Sequence, residues 1–380
     1  MIHVIVNPAG AGGAAARAWR KVRVLLEEEK VSYRVFFSRP ELDVDVLVEK
    51  VCRRWEKETA KSETDHLILI VIGGDGTMNL AVNGITDFNR VHVGFIPCGS
   101  GNDLARSLGI TKNVKNELTA ILTNARLTVP GKQSPDAGEG SRDPLPAGGG
   151  SKRSDAPRHL DIGEVQYFRC IRHDETLPAA SAETAEELQA DRPAEERAAD
   201  PAAQHPVYTR LFNISSGIGF DASICYEVSV SRVKPLLNRI GLGKLAYLAA
   251  AIRTVFGVKH TEAEITIDGQ PLHCGELLLA ACMNEPYEGG GFRFGPEADA
   301  SDGILDLCVA DGVSSGAFFR IFPTAYRGHH VRFKGVDLYR GRVMDIKTRR
   351  PMWVHTDGEI EFLSDHVCFH IKDEKLHLLN

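Results

Sequence analysis

Two short glycine-rich segments in this chain each carry one carboxylate. Gly73-Gly74-Asp75-Gly76-Thr77 follows the apolar run Leu67–Ile72, and Gly99-Ser100-Gly101-Asn102-Asp103 follows Val93–Pro97. Each reads as a buried strand that ends in a turn and then opens a helix. Glycines at such a turn let the backbone approach a ligand closely, and the N–H groups of a helix start suit phosphate oxygens. A phosphate cradle with a carboxylate beside it is the chemistry of a metal–nucleotide site. Taken alone, the first segment also fits a tight strand–helix turn with a capping Asp. Two Asp-bearing turns after neighbouring strands are harder to explain as packing.

The elements around them predict how the turns are positioned. Residues 2–6 read as a strand, and Asn7-Pro8-Ala9-Gly10-Ala11 opens a third flexible turn. A helix is expected over 14–30, with Trp19, Val22, Leu25 and Leu26 near helical spacing. Strands are expected at 33–37, 67–72 and 91–96, and helices at 44–57, 79–85 and 103–108. This alternation predicts a parallel, doubly wound, Rossmann-like sheet, whose ligands bind at the carboxyl ends of the strands. All three turns fall there. From Tyr208 onward short strand-like runs recur, the spacing of a β-sandwich, with one helical stretch at 242–255.

The 380 residues favour two domains. Residues 1–128 are expected to form the nucleotide domain and 129–372 the β-sandwich, with 373–380 a C-terminal tail for which a return to the first domain is open. Two stretches, 130–158 and 172–206, are rich in Gly, Ser, Pro, Ala and acidic residues and read as disordered insertions. A short strand pair around 159–171 is expected between them, within the β domain. The net charge of −6 gives no basic footprint for nucleic acid. The eight cysteines form no CxxC pair and read as reduced, buried thiols. Residues 1–7 lack the features of a signal peptide, and no apolar run reaches the roughly 18 residues of a membrane span. A cytoplasmic protein is expected.

The chain resembles the lipid kinases of the diacylglycerol kinase catalytic-domain superfamily, which includes sphingosine and ceramide kinases. It is most similar to the soluble bacterial members. The resemblance rests on Asn7-Pro8-Ala9-Gly10, Gly73–Thr77 with Asn79, Asn83-Gly84, and Ile96–Arg106. It continues through Leu160–Gly163, Phe212-Asn213 with Gly217, Gly289–Gly291, Ser301–Gly303 and Asp357-Gly358-Glu359. It implies an N-terminal nucleotide domain, a C-terminal β-sandwich and an active site in the cleft between them.

Carried over residue by residue, Asn7, Pro8, Ala9, Gly10, Ala11, Ser38, Gly73, Gly74, Asp75, Gly76, Thr77, Asn79, Gly99, Ser100, Gly101 and Asn102 are implied to hold ATP. Asp75 and Asp103 are implied to hold the catalytic Mg²⁺ through waters, joined by Asp161. Asp357 or Glu359 would be the base that accepts the lipid hydroxyl proton, with the lean toward Asp357. A second magnesium is implied at Asp299, Asp302 and the Ile304 carbonyl, where an ordinary Asp-Gly hairpin turn is the competing reading.

The chain departs from the family pattern at Leu80, where Glu is usual, and at a missing Lys after the first turn. Arg17 or Arg20 is the candidate substitute charge, and a solvated helix face the competing reading. The implied reaction is ATP-dependent phosphorylation of diacylglycerol, or a related lipid, at a membrane surface. The enzyme would then be cytoplasmic and transiently membrane-associated, through the cationic and apolar segment 232–244, with a homodimer open. An NAD kinase-like soluble kinase and a catalytically inactive lipid-binding regulator are the alternatives.

Overall fold

The computed structural model describes residues 1–59, 65–125, 157–172, 205–230 and 260–380. The chain divides into two compact units, Met1–Leu160 with Leu376–Asn380, and Asp161–Lys375. Most of the expected insertions and all of segment 232–255 lie outside the described residues.

The first unit holds β1 (Ile2–Val6), α1 (Gly10–Glu28), β2 (Tyr33–Phe37), α2 (Val44–Thr59), β3 (Leu67–Gly73), α3 (Asp75–Asn83), β4 (Val91–Pro97), α4 (Asp103–Ser107), α5 (Val114–Asn124) and β5 (Arg158–Leu160). Its sheet runs β2-β1-β3-β4-β15-β5, where β15 is Leu376–Leu378. Strands β1 to β4 and β15 are parallel, and β5 is antiparallel to β15. All five residues of β1 are buried, as befits a strand covered on both faces. Ala15, Trp19, Val22 and Leu26 recur every three or four residues along α1 and are buried with Leu118, Ile121 and Leu122 of α5. Each large side chain so buried contributes about 1.5–3 kcal/mol.

The boundary between the units differs from the expected 128/129. Residues 158–160 belong to the first sheet because β5 pairs with β15, His159 opposite His377. The expected strand pair around 159–171 is therefore divided between the two units. Asn380 fixes the end of β15 in place. Its side chain exchanges hydrogen bonds with both backbone groups of Phe95, at 2.7 and 2.9 Å, and donates to Glu117 at 3.2 Å.

The second unit contains β6 (Gly163–Arg172), β7 (Tyr208–Phe212), β8 (Ser215–Gly219), α6 (Phe220–Val230), β9 (Thr261–Ile267), β10 (Gln270–Met283), β11 (Leu305–Asp311), α7 (Ser315–Ala325), β12 (Val336–Gly341), β13 (Val343–Thr356) and β14 (Glu359–Ile371). The long strands β10 and β13 share two partners. Their first halves pair with β9 and their last parts with β8. The sheet thus folds over on itself around a core that includes Val165, Phe212, Ile218, Leu307, Ile346, Val354 and Phe369.

Each unit buries a neutral histidine. Burial, then Arg34, pushes His3 down to about 4, and burial pushes His330 down to about 4, against a weak backbone contact to Phe294. The unfolded chain takes up these protons near pH 6.5 and the folded one only near 4. The stability they contribute is present above pH 6.5 and is lost as the pH falls toward 4. Urea midpoints of both units are expected to drop between pH 7 and pH 4.5. An unchanged midpoint in His330→Asn relative to wild type across that window would contradict the assignment for the second unit.

Candidate active site

In the first unit the two glycine turns touch backbone to backbone. Pairing of β3 with β4 runs to their last residues, and the Cys98 N–H donates to the Gly73 carbonyl at 2.7 Å. A Cβ on Gly99 would stand 2.7 Å from the Gly74 Cα, and one on Gly73 would stand 2.4 Å from the Thr77 side chain. Neither position has room for a larger residue. Gly99→Ala is expected to push the turns apart, costing about 1–3 kcal/mol of stability. Thermal unfolding reads it; an unchanged midpoint would show that the turns do not need this contact.

This contact brings the two aspartates together. Asp75 opens α3, and its Oδ2 accepts the Asp103 N–H at 3.0 Å. Asp103 is buried at the start of α4, and its carboxylate is ion-paired to Arg106. Asn102 adopts a left-handed conformation at φ 50° and donates from its amide to the Gly99 carbonyl at 2.7 Å, holding the second turn closed. The sequence motif included Arg106 but did not reveal its bond to the carboxylate expected at a metal.

The third turn joins them through Asn7, which donates to the Thr77 hydroxyl at 3.4 Å, while the Gly10 N–H donates to the Asn7 carbonyl at 3.0 Å. Ser38 is buried beside this turn, its N–H on the Val6 carbonyl. Asn79 is fully buried, and its carbonyl accepts from Asn83. Pro8, Ala9, Gly76, Ser100 and Gly101 lie in or beside the same three turns, with Ser100 exposed. Ala11 lies in the first turn of α1. Arg17 and Arg20 are exposed on α1.

In the second unit, Asp357 stands in a left-handed turn at φ 50° between β13 and β14. Its carboxylate accepts the N–H groups of Asn213, Ile214 and Ser215 at 2.9–3.0 Å and the Asn213 amide at 3.3 Å. Its own N–H donates to the Ser215 carbonyl. These bonds tie the turn to the start of β8 and occupy the lone pairs a base would use. Glu359, opposite Thr356 across the hairpin, is exposed.

Three residues beside this turn were not singled out from sequence. His355, fully buried on β13, sits 3.1 Å from Asp221 Oδ2 at the start of α6 and 3.5 Å from Glu288 Oε1. Gly217 makes room for them, since a Cβ there would lie 2.0 Å from Asp221 Oδ2 and 2.8 Å from His355 Nε2. Burial opposes charge on the ring, but Glu288 and Asp221 outweigh it and push His355 up to about 9. The Gly358 N–H points at Nδ1 from 3.3 Å; the charged ring carries a proton on that nitrogen too, so this long contact is not a hydrogen bond while the two carboxylates hold the ring protonated. Asp221 and His355 are 134 residues apart in sequence, with Glu288 between them, so no local spacing reveals the cluster.

Asp161 is buried, with Oδ2 on the Gly303 N–H at 2.7 Å and Oδ1 2.8 Å from the Lys375 ammonium. At the expected second magnesium loop, Asp299 accepts from the Ser301 N–H and hydroxyl. Asp302 accepts the Ile304 N–H and is ion-paired to Arg340, which also reaches Asp306. The Arg340 guanidinium thus stands beside the loop expected to hold a second magnesium at Asp299, Asp302 and Ile304.

Comparison with known proteins agrees with the geometry. The diacylglycerol kinase catalytic domain family matches residues 1–130, and the YegS C-terminal NAD kinase beta sandwich-like domain family matches residues 217–367. A diacylglycerol kinase of Staphylococcus aureus (strain bovine RF122 / ET3-1) is 43% identical over 307 residues, 80% of this chain and 71% of the relative. This chain belongs to the diacylglycerol kinase family. A diacylglycerol kinase of Bacillus subtilis (strain 168) is 26% identical over 306 residues, 80% of this chain and 74% of the relative. The fold is shared with a crystal structure of a diacylglycerol kinase from Bacillus anthracis str. Sterne, at TM-score 0.57 and 16% identity, covering 100% of this chain and 96% of the other. A nucleotide-type α/β domain followed by a β-rich domain is thus the family's architecture, and phosphotransfer is its class of reaction.

Proposed function

We propose that this chain transfers the γ-phosphate of ATP to the hydroxyl of diacylglycerol, giving phosphatidic acid, or to that of a closely related lipid. The observation that carries the reading is the hydrogen bond from the Asp103 N–H to Asp75 across two glycine turns in backbone contact. Glycine turns expose N–H groups to phosphate oxygens, and phosphoryl transfer needs mainly alignment and charge neutralisation. Asn7 and Thr77 line the same turns and position the phosphates.

Asp75 and Asp103 offer hard carboxylate oxygens side by side, a donor set that fits Mg²⁺, which binds through one or two carboxylates and keeps several waters. Bound there, Mg²⁺ would neutralise charge on the transferred phosphoryl group. Arg106 adds a fixed positive charge beside Asp103. Asp161, expected to join the Mg²⁺ network, is met by the Lys375 ammonium and the Gly303 N–H and is given instead the role of ordering the β-rich unit's loop.

The role of base falls to Glu359 rather than Asp357, reversing the sequence-based lean. The Asp357 carboxylate is turned onto the backbone of residues 213–215, where four N–H bonds hold it away from an incoming hydroxyl. Glu359 is solvent-facing, with no hydrogen bond or ion pair in evidence among the described residues. Among the described residues no helix is long and apolar enough to cross a membrane; the proposed lipid is met at a bilayer surface.

Radiolabelled ATP with mixed vesicles tests the reading, offering diacylglycerol, monoacylglycerol, ceramide and sphingosine, with NAD as soluble control. Label is expected in phosphatidic acid, dependent on Mg²⁺. Glu359→Gln should lower kcat by roughly 10²–10⁴ with ATP affinity unchanged. Label in NADP, or none in any lipid, would overturn the proposal.

A further inference from the structure

A row of histidines crosses the first sheet at the end away from the glycine turns. His92 on β4 is the direct partner of His377 on β15, which is the direct partner of His159 on β5. Direct cross-strand partners project on the same face. His66 precedes β3 by one residue, two before Ile68, which pairs with His92; the period of two places it on that face as well. The rings meet accordingly. His66 stacks on His92 at 4.5 Å, His92 on His377 at 5.1 Å, and His159 meets His377 edge-on at 4.4 Å.

We propose that His92, His377 and His159, with His66 at the end of the row, form a surface site for one divalent transition-metal ion of the zinc, nickel or copper class. Imidazole is the side chain these ions favour, and three nitrogens plus water complete a four-coordinate shell. No hydrogen bond or ion pair occupies a ring nitrogen of the four among the described residues. His66 and His159 are exposed and His92 and His377 half-buried, so the metal has open access.

In the stacked arrangement the nitrogens do not converge on one point. A single ion at the row requires rotation of the flanking rings about their side-chain bonds, so that nitrogens of His92 and His159 face His377. Four or five residues of strand separate His92 from the turn after β4, roughly 15 Å at the rise of an extended chain. Metal at the row is therefore distinct from the Mg²⁺ proposed at Asp75 and Asp103, and its binding does not depend on the lipid kinase reading.

The test is calorimetric titration of the chelator-stripped full chain with Zn²⁺ and Ni²⁺ at pH 7.5, beside the visible spectrum of the Co²⁺ form. One saturable equivalent is expected, insensitive to millimolar Mg²⁺. His377→Asn should weaken it by at least about 10-fold, His159→Asn similarly, and His66→Asn less. Because β15 carries His377, the exposed edge residue His159 supplies the variant that leaves the sheet intact, with unfolding followed for both. Absence of saturable binding, or undiminished affinity in His159→Asn and His377→Asn, would overturn the site; the latter would place the ion elsewhere, such as the buried Asp221, Glu288 and His355.

Discussion

Replacing Asp75 with Asn is expected to lower ATP-dependent phosphotransfer by at least about 10²–10³-fold while the α/β unit stays folded. Asparagine keeps an oxygen to accept the Asp103 N–H, so the bridge between the turns survives in shape. What disappears is a full negative charge beside the phosphate turns. Side-by-side carboxylates are hard ligands for Mg²⁺, and loss of one weakens the electrostatic support of the transferred group. The effect should fall mainly on kcat and on the Mg²⁺ concentration needed for half-maximal rate. ATP binding without Mg²⁺ should change little, because the glycine backbone supplies those contacts. Retained turnover in Asp75→Asn would remove the metal assignment, and with it the mechanism proposed above.

The largest effect on stability is expected at His355. His355→Ala removes the ring between two buried carboxylates, Asp221 and Glu288. Truncating one partner of a buried ionic cluster typically costs about 3–5 kcal/mol, because the remaining charges are left without compensation. The β-rich unit should therefore unfold at markedly lower denaturant, with the α/β unit's ATP binding unaffected. Titration gives a second sign of the same interaction. The ring is held up at about 9 in the folded chain, against about 6.5 unfolded. Its contribution is complete below pH 6.5 and is lost as the pH rises through 9. Wild type should thus lose stability between pH 7 and pH 9.5 more steeply than His355→Ala. Parallel pH profiles for the two proteins would show that the ring carries no linked proton.

The expected Rossmann-like sheet and the three turns at its strand ends are present because their signals are local. A short apolar run such as Leu67–Ile72, closed by a glycine turn, has the length and flank of a buried strand. Gly73, Gly74 and Gly99 are where two backbones approach too closely for a Cβ. Spacing alone therefore located Asp75 and Asp103 and the turns that carry them. The family motifs added the reaction class and the acid at the hairpin, Asp357 or Glu359.

What the sequence left open depended on partners distant along the chain. Asp357 and Glu359 are equivalent as text; only the fold turns Asp357 inward onto the N–H groups of residues 213–215 and leaves Glu359 to solvent. Nothing near Asp299 and Asp302 in the sequence reveals that Arg340, from another strand, pairs with Asp302. Residues 158–160 read as part of the β domain because nothing nearby reveals that β15 waits at the far end of the chain. The same return of β15 aligns His92, His377 and His159, three positions with no shared motif. Local periodicity determines strands, helices and turns, because their hydrogen bonds close within a few residues. Side-chain charge and protonation are decided by neighbours that only the tertiary fold brings together.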